Sequence, residues 1–182
     1  MNSKTKVIIL AGGQGKRLKP LTNNKPKCMV KIFNKSILEH QINCLRECGI
    51  TDITVITGYR SDKIKIPNIN YVKNKNYKNT NMTTAVFLAQ EKLKGSVIIA
   101  YGDIVYESKI LKKLLSEKND LAVVVDKNWK NLWSIRFDNP LNDAESLKLN
   151  KKGYIIDIGQ KIKNIEESEG QFIGLVKFQK KG

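Results

Sequence analysis

The apolar run Val7 to Leu10 passes without a break into Ala11-Gly12-Gly13-Gln14-Gly15-Lys16-Arg17-Leu18. An apolar stretch this short, closed by glycines, has the length of a buried strand and not of a helix. The glycines let the backbone turn sharply and bring N–H groups close to anionic oxygens that a Cβ would hold away. Arg17 and Lys27 supply fixed positive charge, and Pro20-Leu21-Thr22 and Pro26-Lys27 continue the loop. A strand feeding a cationic glycine loop predicts an open α/β sheet with a phosphate-bearing ligand at its carboxyl edge.

Spacing excludes the two commonest loops of this kind. A P-loop needs glycine, four residues and then Gly-Lys-Ser/Thr, and no such string occurs. A dinucleotide fingerprint begun at Gly13 meets Gly15 but has Leu18 where its third glycine belongs. The remaining pattern is a strand followed by Ala-Gly-Gly-x-Gly-x-Arg-Leu, Pro-Leu-Thr and Pro-Lys. It resembles the nucleotidyltransferase family that joins nucleoside triphosphates to sugar phosphates, phosphocholine and related phosphorylated alcohols. The bland alternative is a basic surface turn after a strand.

Further apolar runs at 52–57, 69–73, 96–101 and 121–126 join 6–11 as strand candidates, alternating with helical patterns. That alternation predicts a mixed, mostly parallel sheet flanked by helices. The resemblance makes it a Rossmann-like, GT-A-like nucleotidyltransferase fold. A first helix starts at Ser36, with Glu39 three residues on as a capping box, and stops at Gly49. Helical patterns follow at 81–94 and 107–117, and strand-like runs at 145–149, 154–158 and 171–178.

Tyr101-Gly102-Asp103 closes the apolar run 97–100. Ligands in open α/β sheets bind outside the carboxyl ends of the strands, so Asp103 is expected beside the glycine loop. One carboxylate plus nucleotide phosphates is a usual protein environment for Mg2+; a turn aspartate is the plain alternative. The resemblance assigns the catalytic Mg2+ to Asp103 and phosphate contacts to Arg17 and Lys27. It implies attack by a substrate phosphate oxygen on the α-phosphorus of the triphosphate, with pyrophosphate leaving. It also assigns nucleotide binding to the loop residues Leu10, Ala11, Gly12, Gly13, Gly15 and Lys16 and to Asn81, Thr83 and Thr84. The last three double as a helix cap.

Trp129 and Trp133 are four apart and Arg136 follows three later, so on a helix they share one face. Aromatic walls suit a cationic or amphipathic head group and an arginine suits a phosphate or carboxylate; core packing of the two tryptophans is the other reading. The stretch 124–149, which also contains Asp126, Asp143 and Glu145, resembles the branch of the family that couples CTP to phosphoglutamine for capsular phosphoramidate. Enzymes for phosphocholine and 2-aminoethylphosphonate are more distant. The resemblance therefore implies Asp126, Trp129, Trp133, Arg136, Asp143 and Glu145 as the substrate-binding set. Three rivals stay open: a sugar-1-phosphate enzyme, a nucleotide-binding remnant without catalysis, and a basic nucleic-acid-binding module.

The formal net charge of +16 invites the last of these, yet only four of the 33 cations are arginine and they are scattered. Arginine is the side chain suited to forked phosphate and guanine contacts, so no nucleic-acid partner is expected. No apolar run approaches a membrane span, and a cytoplasmic protein without membrane insertion is expected. His40 is the single histidine and the three cysteines lack paired spacing, which excludes multi-histidine and zinc-ribbon sites. The 182 residues read as one nucleotidyltransferase domain, 1–182. Family members carry a C-terminal segment with a second metal carboxylate; Glu166, Glu167 and Glu169 do not match it. The chain is therefore expected to lack that segment, with weak turnover and homodimerisation through a bared strand edge as consequences.

Overall fold

The computed structural model describes residues 5–179, so the Lys180-Lys181-Gly182 ending lies outside the described residues. They form two compact units, one of residues up to Ala122 together with those from Gly174 onward, the other Val123–Ile173.

The first unit is built on β1 (Lys6–Ala11), which carries three fully buried residues, Val7, Ile8 and Ile9. A short hairpin follows, β2 (Lys31–Ile32) and β3 (Lys35–Ser36), and then helix α1 (Ile37–Glu47). Ser36 caps α1 in the expected manner: its hydroxyl accepts from the Glu39 N–H at 3.2 Å, and the Glu39 carboxylate accepts from the Ser36 N–H at 2.7 Å. Gly49, at φ 79°, ends the helix in the left-handed region. Hydrogen bonds from Ser36 hold the Glu39 carboxyl below its usual range. Its contribution is thus present above the ordinary carboxylate range and is lost as pH falls. Replacing Ser36 by alanine is expected to cost about 1 kcal/mol, read as a lower urea midpoint at unchanged m-value.

β4 (Ile53–Thr57), β5 (Asn70–Lys73) and β6 (Val97–Tyr101) lie within a residue of the predicted runs. β1 pairs in parallel with both β4 and β6, and β4 with β5. The predicted helix over 81–94 is shorter: α2 spans Met82–Phe87, and a 3-10 turn covers Gln90–Lys92. Between them Ala89 leaves helical geometry (φ −115°, ψ 37°) and is fully buried against Ile8, Ile56 and Val97. The β-branched Thr83, Thr84 and Val86 hold a helix weakly, so packing of Ala89 decides where it ends.

α3 (Ser108–Ser116) packs on α1. Strands β7 (Leu121–Asp126) and β10 (Gln171–Phe178) complete the sheet order β5-β4-β1-β6-β10-β7, with β10 antiparallel to β6. The sheet is thus mixed and mostly parallel, as the alternation predicted. Lys177 on β10 is buried, and its ammonium donates to the carbonyls of Leu114, Leu115 and Glu117, closing the C-terminal end of α3.

The second unit holds α4 (Trp129–Arg136) and an antiparallel pair, β8 (Glu145–Leu149) and β9 (Ile155–Lys161). Its core is Trp129, Ala144 and Ile162, with Trp133, Leu141 and Ile165 packed on it. The Gln171 amide ties this core to β8: its oxygen accepts from the Glu145 N–H at 3.1 Å and its nitrogen donates to the Ser168 hydroxyl at 2.9 Å.

Candidate active site

The carboxyl ends of parallel β1, β4, β5 and β6 converge, and the loops leaving them enclose a cavity of about 430 Å³. Leu10 to Gly13 and Gly15 line it. A Cβ built on Gly13 would meet nothing within 4 Å, so the backbone there faces open space that a phosphate can approach. Gly15 has a different task. Its φ is 70°, and a Cβ on it would stand 2.7 Å from the Lys27 Cβ, so only glycine lets the Lys27 stem pass.

The Pro-Leu-Thr and Pro-Lys strings explain themselves locally. Thr22 is fully buried and its hydroxyl donates to the Gly15 carbonyl at 2.9 Å, which pins the loop across its mouth. Pro26 sits in extended geometry before the turn Lys27–Met29, where its fixed φ starts the turn and directs Lys27 into the cavity. The loop's far side is held by Tyr59, whose N–H donates to the Gly12 carbonyl at 3.1 Å and whose hydroxyl donates to the Asn23 carbonyl at 2.6 Å.

Asp103 enters from the end of β6. The Gly102 N–H donates to the Leu10 carbonyl at 2.9 Å, so β6 and β1 close on each other immediately before the carboxylate. Arg17, Lys27 and Asp103 all line the cavity, and Lys27 and Asp103 form an ion pair. Asp103 is the one carboxylate among the described residues lining the cavity, and no group of three or more His, Cys, Asp or Glu suited to a metal occurs among the described residues. One carboxylate oxygen set beside a backbone cradle for phosphates fits Mg2+, which keeps waters and takes most of its remaining ligands from substrate.

Of the other residues assigned from sequence, Leu10, Ala11, Gly12, Gly13, Gly15 and Asn81 line the cavity, whereas Lys16, Thr83 and Thr84 do not. The Asn81 side-chain Oδ1 accepts from both the N–H and the hydroxyl of Thr84, so it serves as the cap of α2 and leaves the side-chain Nδ2 to face a ligand. Sequence reasoning missed Asn74 and Tyr77. Buried Asn74 donates to the Thr80 hydroxyl at 2.8 Å and accepts from the Asn76 N–H at 3.0 Å, shaping this wall. Its position one residue past a parallel strand, at the same edge as the glycine loop, was the available signal.

Cys28 also lines the cavity but is 2% exposed, and burial pushes its thiol up to about 12. It is therefore inert as a nucleophile at neutral pH. The raised value means the unfolded chain loses this proton first, so its share of stability is intact below about 9 and is lost as pH rises from there toward about 12. Replacing Cys28 by alanine is expected to flatten the alkaline fall in melting temperature over that window, measured by circular dichroism.

In the second unit Trp129 is fully buried, and its N–H donates to the Ser168 carbonyl at 3.4 Å. Trp133 stands edge-on to it, 6.0 Å between centroids, and the Arg136 guanidinium lies over Trp133 at 5.1 Å and over Phe137 at 5.2 Å. Trp129, Trp133 and Arg136 thus share a helix as their spacing predicted. Asp126 accepts from the Asn128 N–H at 2.8 Å, while Asp143 and Glu145 are exposed on either side of Ala144.

This fold and site have a recognisable family: the chain belongs to the nucleotidyl transferases, whose profile matches residues 6–132 and so spans every residue lining the cavity. It is 45% identical to the CTP:phosphoglutamine cytidylyltransferase of Campylobacter jejuni, over 94% of this chain and 72% of that protein. It is 29% identical to the choline-phosphate cytidylyltransferase of Streptococcus pneumoniae, over 83% of this chain and 67% of that one. The fold matches the inositol-1-phosphate CTP transferase of T. maritima with a TM-score of 0.75 at 21% identity, covering 100% of this chain and 72% of that one. No helix among the described residues is long and apolar enough to cross a membrane.

Proposed function

We propose that the chain is a Mg2+-dependent cytidylyltransferase that joins CTP to a small phosphorylated compound, with L-glutamine phosphate as acceptor and CDP-L-glutamine and pyrophosphate as products. The observation that carries the chemistry is the convergence of Arg17, Lys27 and Asp103 on one glycine-walled cavity. The choice of CTP and phosphoglutamine rests on the 45% identity to the Campylobacter jejuni enzyme. On this reading the chain acts as one nucleotidyltransferase domain, and its product serves capsular phosphoramidate modification.

An acceptor phosphate oxygen attacks the α-phosphorus and the bond to the β-phosphate oxygen breaks, so no protein nucleophile is needed. Two anions must meet, and the protein's task is positioning and charge neutralisation. The N–H groups of the glycine loop and the Arg17 and Lys27 cations hold the triphosphate and stabilise charge growing on the leaving pyrophosphate. Asp103 would hold Mg2+, which when bound would offset the negative charge of the phosphates. Tyr77, Thr80 and the Asn81 amide nitrogen supply the wall for base and ribose.

Acceptor recognition is assigned to Asp126, Trp133, Arg136, Asp143 and Glu145 of the second unit, with Trp129 as their buried support. One observation favours an amino-acid head group over choline. The face of Trp133 is already covered by the Arg136 guanidinium, which repels a quaternary ammonium and welcomes a carboxylate.

The test is pyrophosphate release with Mg2+, pairing CTP, UTP, ATP, GTP and dTTP with phosphoglutamine, phosphocholine, 2-aminoethylphosphonate and glucose-1-phosphate. Release with CTP and phosphoglutamine alone is the expected result; release with glucose-1-phosphate and another triphosphate would replace this reading by a sugar-phosphate one. Arg17→Ala and Lys27→Ala are each expected to lower the rate by ~10²–10³, the usual loss for one preorganised donor.

A further inference from the structure

The Lys27–Asp103 ion pair lies inside the cavity, with the two side chains 31% and 34% exposed. It joins the two groups that the proposed reaction needs apart, the cation for phosphate and the carboxylate for the metal. While paired, each neutralises the charge that its ligand must find. Among the described residues lining the cavity Asp103 is the one carboxylate. The Lys27 stem packs against Gly15, where a Cβ would stand 2.7 Å from the Lys27 Cβ and 3.1 Å from its Cγ, and the ammonium beyond it is part-exposed to the cavity.

Resting on the nucleotide and metal reading above, we propose that Lys27 is an exchangeable counter-ion that makes the two ligands of this site mutually dependent. Triphosphate draws Lys27 off Asp103 and uncovers the carboxylate; conversely, Asp103 engaged with a metal would give up Lys27 to the phosphates. Each ligand therefore tightens the other by the same factor, as linkage requires. Either ligand alone must break the pair without help from its partner. The arrangement ties the metal to the nucleotide.

The test is a double-mutant cycle read by calorimetry, titrating CTP in EDTA into the wild-type chain, Asp103→Asn, Lys27→Met and the double variant. Removing the carboxylate is expected to tighten metal-free CTP about tenfold when Lys27 is present, since a charge-assisted hydrogen bond to phosphate becomes available. In the Lys27→Met background the same change gains clearly less, because only the removal of repulsion remains. Asp103→Ser, with thermal unfolding of every variant, guards against a folding artefact. Equal gains in both backgrounds would overturn the exchange while leaving the proposed function standing. No CTP binding by any variant would overturn both.

Discussion

Asp103→Ala is expected to lower the turnover number by about 10³-fold or more with circular dichroism unchanged. Asp103 is the carboxylate that the carboxyl edge of the sheet delivers to the glycine loop, and no metal-ligating cluster stands in reserve among the described residues. Metal stabilisation of phosphoryl charge amounts to several kcal/mol, and each 1.36 kcal/mol is tenfold in rate. The change also strips Lys27 of its ion-pair partner, so the two effects separate by assay. Pyrophosphate release collapses, whereas CTP binding in EDTA does not weaken. Turnover within tenfold of wild type would remove Asp103 from the metal-holding role.

Gly102→Ala is expected to destabilise the chain by about 3 kcal/mol, the upper end for overpacking, and to cripple the site with it. A Cβ on Gly102 would stand 2.7 Å from the Leu10 carbonyl oxygen and 2.9 Å from the Ala11 Cα. Both are backbone atoms of the strand that feeds the glycine loop, so no rotamer change relieves the clash. The end of β6 must move away from β1, breaking the Gly102 N–H bond to Leu10 and carrying Asp103 from the cradle. Chemical denaturation should show a lower midpoint, and CTP affinity should fall in the fraction that remains folded. Gly13→Ala is the matched contrast, because its Cβ meets no protein atom and ought to affect ligand binding alone.

Much of the site is legible in the amino-acid order, because short-range rules govern it. Gly12, Gly13 and Gly15 after an apolar run state the loop, and an aspartate directly past an apolar strand states the carboxyl edge. The capping box of Ser36 and Glu39 names the start of α1 to the residue. Other parts are hidden because their partners are far away in sequence. Asn74 and Tyr77 read as a polar connection until parallel pairing of β5 with β4 sets them on the cavity wall. Trp129 and Trp133 have the same spacing whether they face a ligand or a core, and only burial separates them: Trp129 is closed off completely, while Trp133 lies beneath Arg136.

The sequence by itself determined the α/β class, the positions of the main-sheet strands, the glycine loop and the placing of Arg17, Lys27 and Asp103 at one carboxyl edge, where all three line the cavity. Periodicity, caps and turn residues act over a few neighbours, and those signals are written in the chain. The tertiary structure alone decided that α2 stops at Phe87, that Lys177 turns inward to close α3, and that Lys27 and Asp103 neutralise each other. Each of these depends on what a residue meets from another part of the chain, where burial and ion pairing outweigh local preference.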